Sequence, residues 1–213
     1  MSISVISERI IPIIPQLPTE GKTLLSALEV VKLAIEVVKG IGNAIIGLAK
    51  ELGIIPDMEV EELGARAIQA MEKGICPENF ASAEEWVNKL LQDDWGYSPE
   101  ESKNLSQNEK VYVGIGAVAA CLIDKYEQLP VKEFLLQAPS NIGLFTGEHM
   151  QGIADIMRND SGTFGAIVQY LSGSDKSRQT VETATDALIS IEKAIDPDLN
   201  DNEAYEKVIS YHR

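Results

Sequence analysis

Histidine and cysteine are nearly absent: the 213 residues hold two of each. Cys76 and Cys121 are too few for a disulfide scaffold, and no Cys-x-x-Cys or Cys/His spacing reads as a zinc site. Cys121 lies in the apolar run VYVGIGAVAACLI, where a buried free thiol is expected. A Ser/His or Cys/His nucleophilic arrangement needs His149 as its base, because His212 stands next to the last residue. The stretch Thr146-Gly-Glu-His-Met supplies no partner thiol. It reads instead as the first turn of a helix carrying a surface or capping histidine.

Basic charge is also scarce. Eighteen Lys and Arg stand against 33 Asp and Glu, a formal net charge of −15. No basic stripe is present to neutralise phosphates, which argues against nucleic acid. Repulsion from anionic headgroups argues against a peripheral membrane role. The longest uncharged runs in candidate helices, 40–49 and 111–123, fall well short of the roughly 20 residues a membrane span needs. The opening MSISVISERIIPIIP lacks a basic leader and places Glu8 and Arg9 where a signal peptide is apolar. The expectation is a soluble, cytoplasmic chain. Gly114-Ile-Gly116 does not complete Gly-x-Gly-x-x-Gly and no phosphate-loop lysine motif occurs, so no nucleotide or other cofactor is expected.

What is present is an apolar, neutral beginning and an acidic remainder. Residues 1–52 carry five basic and five acidic side chains; the other 161 residues carry 13 and 28, and hence the whole net charge. The expected organisation is therefore an arm plus long apolar helix over 1–52, packed on or extending an acidic helical domain over 53–213. In the arm, Pro12, Pro15 and Pro18 interrupt an Ile-rich run and hold it extended. From residue 23 to 52 polar side chains recur every three or four positions as one narrow stripe, with Glu29, Lys32, Glu36 and Lys39 as neighbours along it. The rest of that helix is apolar and needs cover. Gly40, Gly42 and Gly47 each cost about 1 kcal/mol relative to alanine inside a helix, which predicts a bend or break near 40–43.

Beyond residue 53 the chain punctuates itself. A helix is expected over 58–73, closed by Gly74. Ser82-Ala-Glu-Glu85, Ser98-Pro-Glu-Glu101 and Ser106-Gln-Asn-Glu109 are three capping-box signatures within 28 residues. Further helices are expected near 130–137, 147–158, 163–171, 174–195 and 201–211. The predicted class is all-α: an irregular bundle of about nine helices with an extended proline-containing N-terminal arm.

Acidic pairs at Glu61–Glu62, Glu84–Glu85, Asp93–Asp94 and Glu100–Glu101 offer carboxylates, but glycosidase-type chemistry needs two that face each other across a cleft. The pairs at 84–85 and 100–101 fall in first helical turns, where negative charge complements the dipole. Asp196, Asp198 and Asn200 match the start of a calcium loop, which then fails at Asp201 and Lys207, so no metal site is expected. Trp86, Trp95 and Tyr97 cluster around one acidic loop, either as the rim of a core or as a binding anchor.

These features point to a non-enzymatic interaction or assembly protein. Its candidate surface is Leu24, Leu28, Val31, Ile35, Val38, Ile41 and Ile45, with Trp95 and Tyr97 as a second contact. The partner is another protein or a second copy. Two alternatives share the sequence features: an acidic inhibitor or immunity-type protein that binds a basic partner, and a helical enzyme with carboxylate chemistry.

Overall fold

The computed structural model of the chain describes residues 39–56 and 58–211, and all of their regular structure is helical. In chain order the helices are α1 (Lys39–Glu51), α2 (Val60–Glu72), α3 (Ala83–Leu90), α4 (Pro99–Ser102), α5 (Gln107–Lys125), α6 (Val131–Leu136), α7 (Gly147–Asn159), α8 (Ser161–Ser172), α9 (Arg178–Ile195) and α10 (Asp201–Ser210). Among the described residues there is no strand, and no helix is long and apolar enough to cross a membrane. The all-α class expected from the sequence is the one found. The expected proline arm and the expected helical turns before Lys39 lie outside the described residues. Within them, α1 continues through Gly40, Gly42 and Gly47.

Two compact units divide the described residues. One is Ile55–Lys125; the other joins residues 39–54 to residues 126–211. The first is organised around α5, in which every residue from Val113 to Leu122 is buried. A helix apolar on all sides needs neighbours on all sides. On one of them α2 approaches backbone to backbone. A Cβ on Gly64 would stand 1.7 Å from the Lys110 carbonyl oxygen, and one on Gly114 would stand 2.3 Å from that of Val60. Gly114, which completes no nucleotide loop, is thus half of a helix crossing. Helix α3 starts where the sequence marks it, with Ser82 Oγ accepting from Glu85 N at 3.1 Å. It docks on α5 through Ala83 N, which donates to Asp124 Oδ2 at 2.7 Å, and seats Trp86 with its Nε1 donating to the Ile75 carbonyl.

In the second unit α1 packs on α7, while α9 packs on α8 and α10. Ile41, Ile45 and Leu48 of α1 are completely covered. Phe134 of α6 stacks on Phe145 at 4.9 Å between ring centroids and meets Phe164 of α8 at 5.4 Å. Asp160 ends α7 and caps α8, accepting from Thr163 N, so α8 opens two residues earlier than residue 163. Helix α9 starts at Arg178, later than the serine at 174 suggests. Asp175 accepts from Ser177 and Thr180 and holds the preceding residues in a turn, leaving Ser177 as the cap. Asn200 and Glu203 close a reciprocal capping box at α10, which accounts for the polar run at 196–203.

Candidate functional site

Among the described residues most charged side chains are exposed, but Glu192 is not: in α9 it is 2% exposed. It follows Ile191 and stands one turn after Leu188, on the face that α9 turns to its neighbours. A carboxylate in that position needs compensating donors. Three converge on it. His149 Nε2 lies 2.6 Å from Oε1, the Tyr211 hydroxyl donates to the same oxygen, and Lys207 Nζ stands 3.6 Å from Oε2.

Each donor is placed by local structure. Thr146 caps α7 and its Oγ1 accepts from His149 N at 3.4 Å, which fixes His149 as the third helical residue. The same Oγ1 lies 2.6 Å from His149 Nδ1. With Nε2–H assigned to Glu192, the threonine hydroxyl can donate to Nδ1 or accept from it, so either protonation state of the ring is satisfied. Tyr211 follows the last turn of α10 and sets its ring edge-on to His149, 5.7 Å between centroids at 88°. Its ring lies over Gly143, where a Cβ would come within 2.8 Å of it. That glycine leaves the space the tyrosine occupies.

The electrostatics follow from this arrangement. Burial alone would push the Glu192 carboxyl up. The hydrogen bonds from Tyr211 and His149, with the charges of His149 and Lys207, outweigh it and hold the carboxyl below its ordinary value. The Tyr211 phenol is pushed up, first by burial and then by the carboxylate that accepts from it. Threonine, imidazole and carboxylate thus stand in the order of a nucleophile relay. In this structure the threonine hydroxyl caps a helix, and the carboxylate end is closed by Tyr211 and Lys207. Beside the cluster, α7 and α9 form an open groove bordered by Glu148, Gln151, Asp155 and Ser190, with Gly152 under Ile191 at its floor.

The residues singled out from the sequence lie elsewhere. Leu24, Leu28, Val31, Ile35 and Val38 are outside the described residues. Ile41 and Ile45 are 0% exposed in the core of the second unit. Trp95 and Tyr97 sit half-buried in the first unit, 5.9 Å apart. Helix α2 holds their loop: Arg66 lies over the Tyr97 ring at 4.4 Å, Lys73 over Trp95 at 5.5 Å, and Gln69 exchanges hydrogen bonds with both backbone groups of Ser98 at 2.8 and 2.9 Å. These aromatics close the rim of a helical core.

The sequence reading set His149 aside as a surface or capping residue. It does sit in the capped first turn, yet it is 7% exposed and bonded to Glu192. The available signal was Glu192 itself, a charge on the apolar face of α9. Tyr211 carried no signal, since only the return of the chain brings it there. No protein-family description, curated protein or solved structure matches the chain.

Proposed function

We propose that the chain is a non-enzymatic interaction or assembly protein of the cytoplasm, with the apolar N-terminal region as the surface for self-association or docking. The supporting observation is the use made of the described end of that region. One apolar period runs from Leu24 to Leu48. Where it is described, its face is a packing face, with Ile41, Ala44, Ile45 and Leu48 covered as α1 lies on α7. Leu24, Leu28, Val31, Ile35 and Val38 carry the same period through a neutral segment, while the remainder carries the whole charge of −15. Apolar surface on that scale requires cover. A neutral segment lets like copies meet without the repulsion their acidic bodies would impose.

The test is light scattering on the purified full chain, coupled to a pull-down. Masses that are multiples of 23.2 kDa, or a retained protein partner, are expected. A strict monomer that retains nothing overturns the reading.

A further inference from the structure

We propose that α10 together with Tyr211 is a latch: the C-terminal helix opens as one unit from a folded body, and the bolt is the Tyr211 hydroxyl on the buried Glu192 carboxylate. Two observations carry this. The first is how little else holds α10. Of its ten residues only Ala204 and Val208 are buried, and its pairing to α9 through Lys193 and Asp201 at 2.7 Å is exposed to water. The second is where its polar anchorage converges. Lys207 from the last turn and Tyr211 just beyond it both reach Glu192. One carboxylate therefore receives a polar tie from each, and the Tyr211 hydroxyl also lies 3.0 Å from His149 Nε2. Segments with few buried apolar contacts are the ones that open locally, ahead of the rest of a structure.

The bolt has a proton-dependent side. A carboxylate can accept from Tyr211, His149 and Lys207 at once, whereas a protonated carboxyl loses acceptor capacity and its charge. The groups facing Glu192 are His149 from α7, Lys207 from α10 and Tyr211 beyond α10. Helix α8, packed along α9, holds no Asp, Glu, Lys, Arg or His. Its one titratable side chain, Tyr170, has Tyr205 of α10 as its electrostatic neighbour. On α9 itself, Lys193 is committed to Asp201. Neutralising Glu192 therefore weakens the common anchor and leaves Ala204, Val208, the exposed Lys193–Asp201 pair and the contacts of Tyr211 with His149 and Gly143 to hold the helix.

Hydrogen exchange read by mass spectrometry on the full chain tests this, with rates corrected for the intrinsic effect of pH. Tyr211→Phe deletes the bolt and keeps the ring. Glu192→Gln imitates the protonated carboxyl. At pH 7 both variants are expected to exchange the amides of residues 204–211 at least tenfold faster than the wild type, and by a clearly larger factor than those of α7, α9 or the first unit. Lowering the pH below about 4, through the lowered Glu192 carboxyl, should bring the wild type towards Glu192→Gln. Unchanged exchange over 204–211 in Tyr211→Phe overturns the proposal. So does acceleration spread evenly across the unit, because the helix would then not open on its own. Should Glu192→Gln fail to fold, Tyr211→Phe and the wild-type pH series still decide the outcome.

Discussion

Tyr211 and Glu192, nineteen positions apart, meet where the phenolic hydroxyl donates to a carboxylate that is 2% exposed. The contact ties the end of the described chain to the interior of α9. It also gives the second unit a defined response to pH.

The sign of that response differs at the two ends of the scale. The Glu192 carboxyl is held below its ordinary value, so its contribution to stability is complete above the unfolded carboxyl pKa, about 4.3, and is lost as pH falls through the folded value. The Tyr211 phenol is held above its ordinary value, so its contribution is complete below about pH 10 and is lost as pH rises through the folded value. Glu192→Gln should shrink the acid loss and Tyr211→Phe the alkaline loss. Neither will abolish it, since the capping carboxyls Asp160 and Asp175 are also lowered and Tyr170 is also raised. Each variant should lower stability at pH 7 by about 1.5–3 kcal/mol, the worth of a hydrogen bond to a charged group. Thermal melts from pH 3 to 11 check both signs. An unchanged alkaline loss in Tyr211→Phe would count against the assignment.

The crossing of α2 and α5 permits no side chain at its centre. Gly64→Ala and Gly114→Ala should each destabilise the first unit by about 1–3 kcal/mol or more, because the obstacle is backbone carbonyl and cannot rotate away. Gly47→Ala is the opposite case. It lies in the interior of α1 with nothing among the described residues within 4 Å of the added carbon, and should stabilise by about 0.5–1 kcal/mol. Urea denaturation of the three variants reads the contrast; a destabilised Gly47→Ala would contradict it.

Gln69 is 2% exposed and bonds both backbone groups of Ser98. Gln69→Ala leaves a part-buried donor and acceptor without their partner, which costs about 1–3 kcal/mol. The 95–97 loop should loosen with it, and tryptophan fluorescence should report a more solvated Trp95. An unaltered emission maximum and stability would show that the loop is held by other contacts.

Both thiols should be slow to react, and unequally so. Burial pushes the Cys76 thiol up, aided by Glu78, but Cys76 is only half-buried. Burial pushes Cys121 up much further, with Asp124 and Glu84 adding to it, and its side chain is 1% exposed. Since the thiolate is the reactive form, Ellman's reagent at pH 8 should count one thiol in the native protein and two in guanidinium chloride. Two native thiols reacting together would contradict the burial of Cys121.

Local chemistry made much of the fold legible in advance. Ser82, Thr146 and Asn200 lie at helix starts that the residue types announce, because a cap is settled within four residues of chain. The boundary of α9 was misplaced because the side chain of Asp175 competes with the helix for Ser177 and Thr180. Long-range facts stayed hidden. Neither the approach of Gly64 to Gly114 nor the meeting of Thr146, His149, Glu192 and Tyr211 has a spacing in the sequence, since each joins separate helices. A buried charge on an apolar face was the one visible trace of the cluster.

Sedimentation of the full chain over a wide concentration range tests the proposed role most directly, comparing the wild type with Leu28→Glu and Ile35→Glu. The account predicts a wild-type mass that is a multiple of 23.2 kDa, and variants that sediment as monomers with unaltered circular dichroism over the packed helices. A wild type that remains monomeric at every concentration, or variants that assemble as the wild type does, would contradict self-association through the apolar N-terminal region.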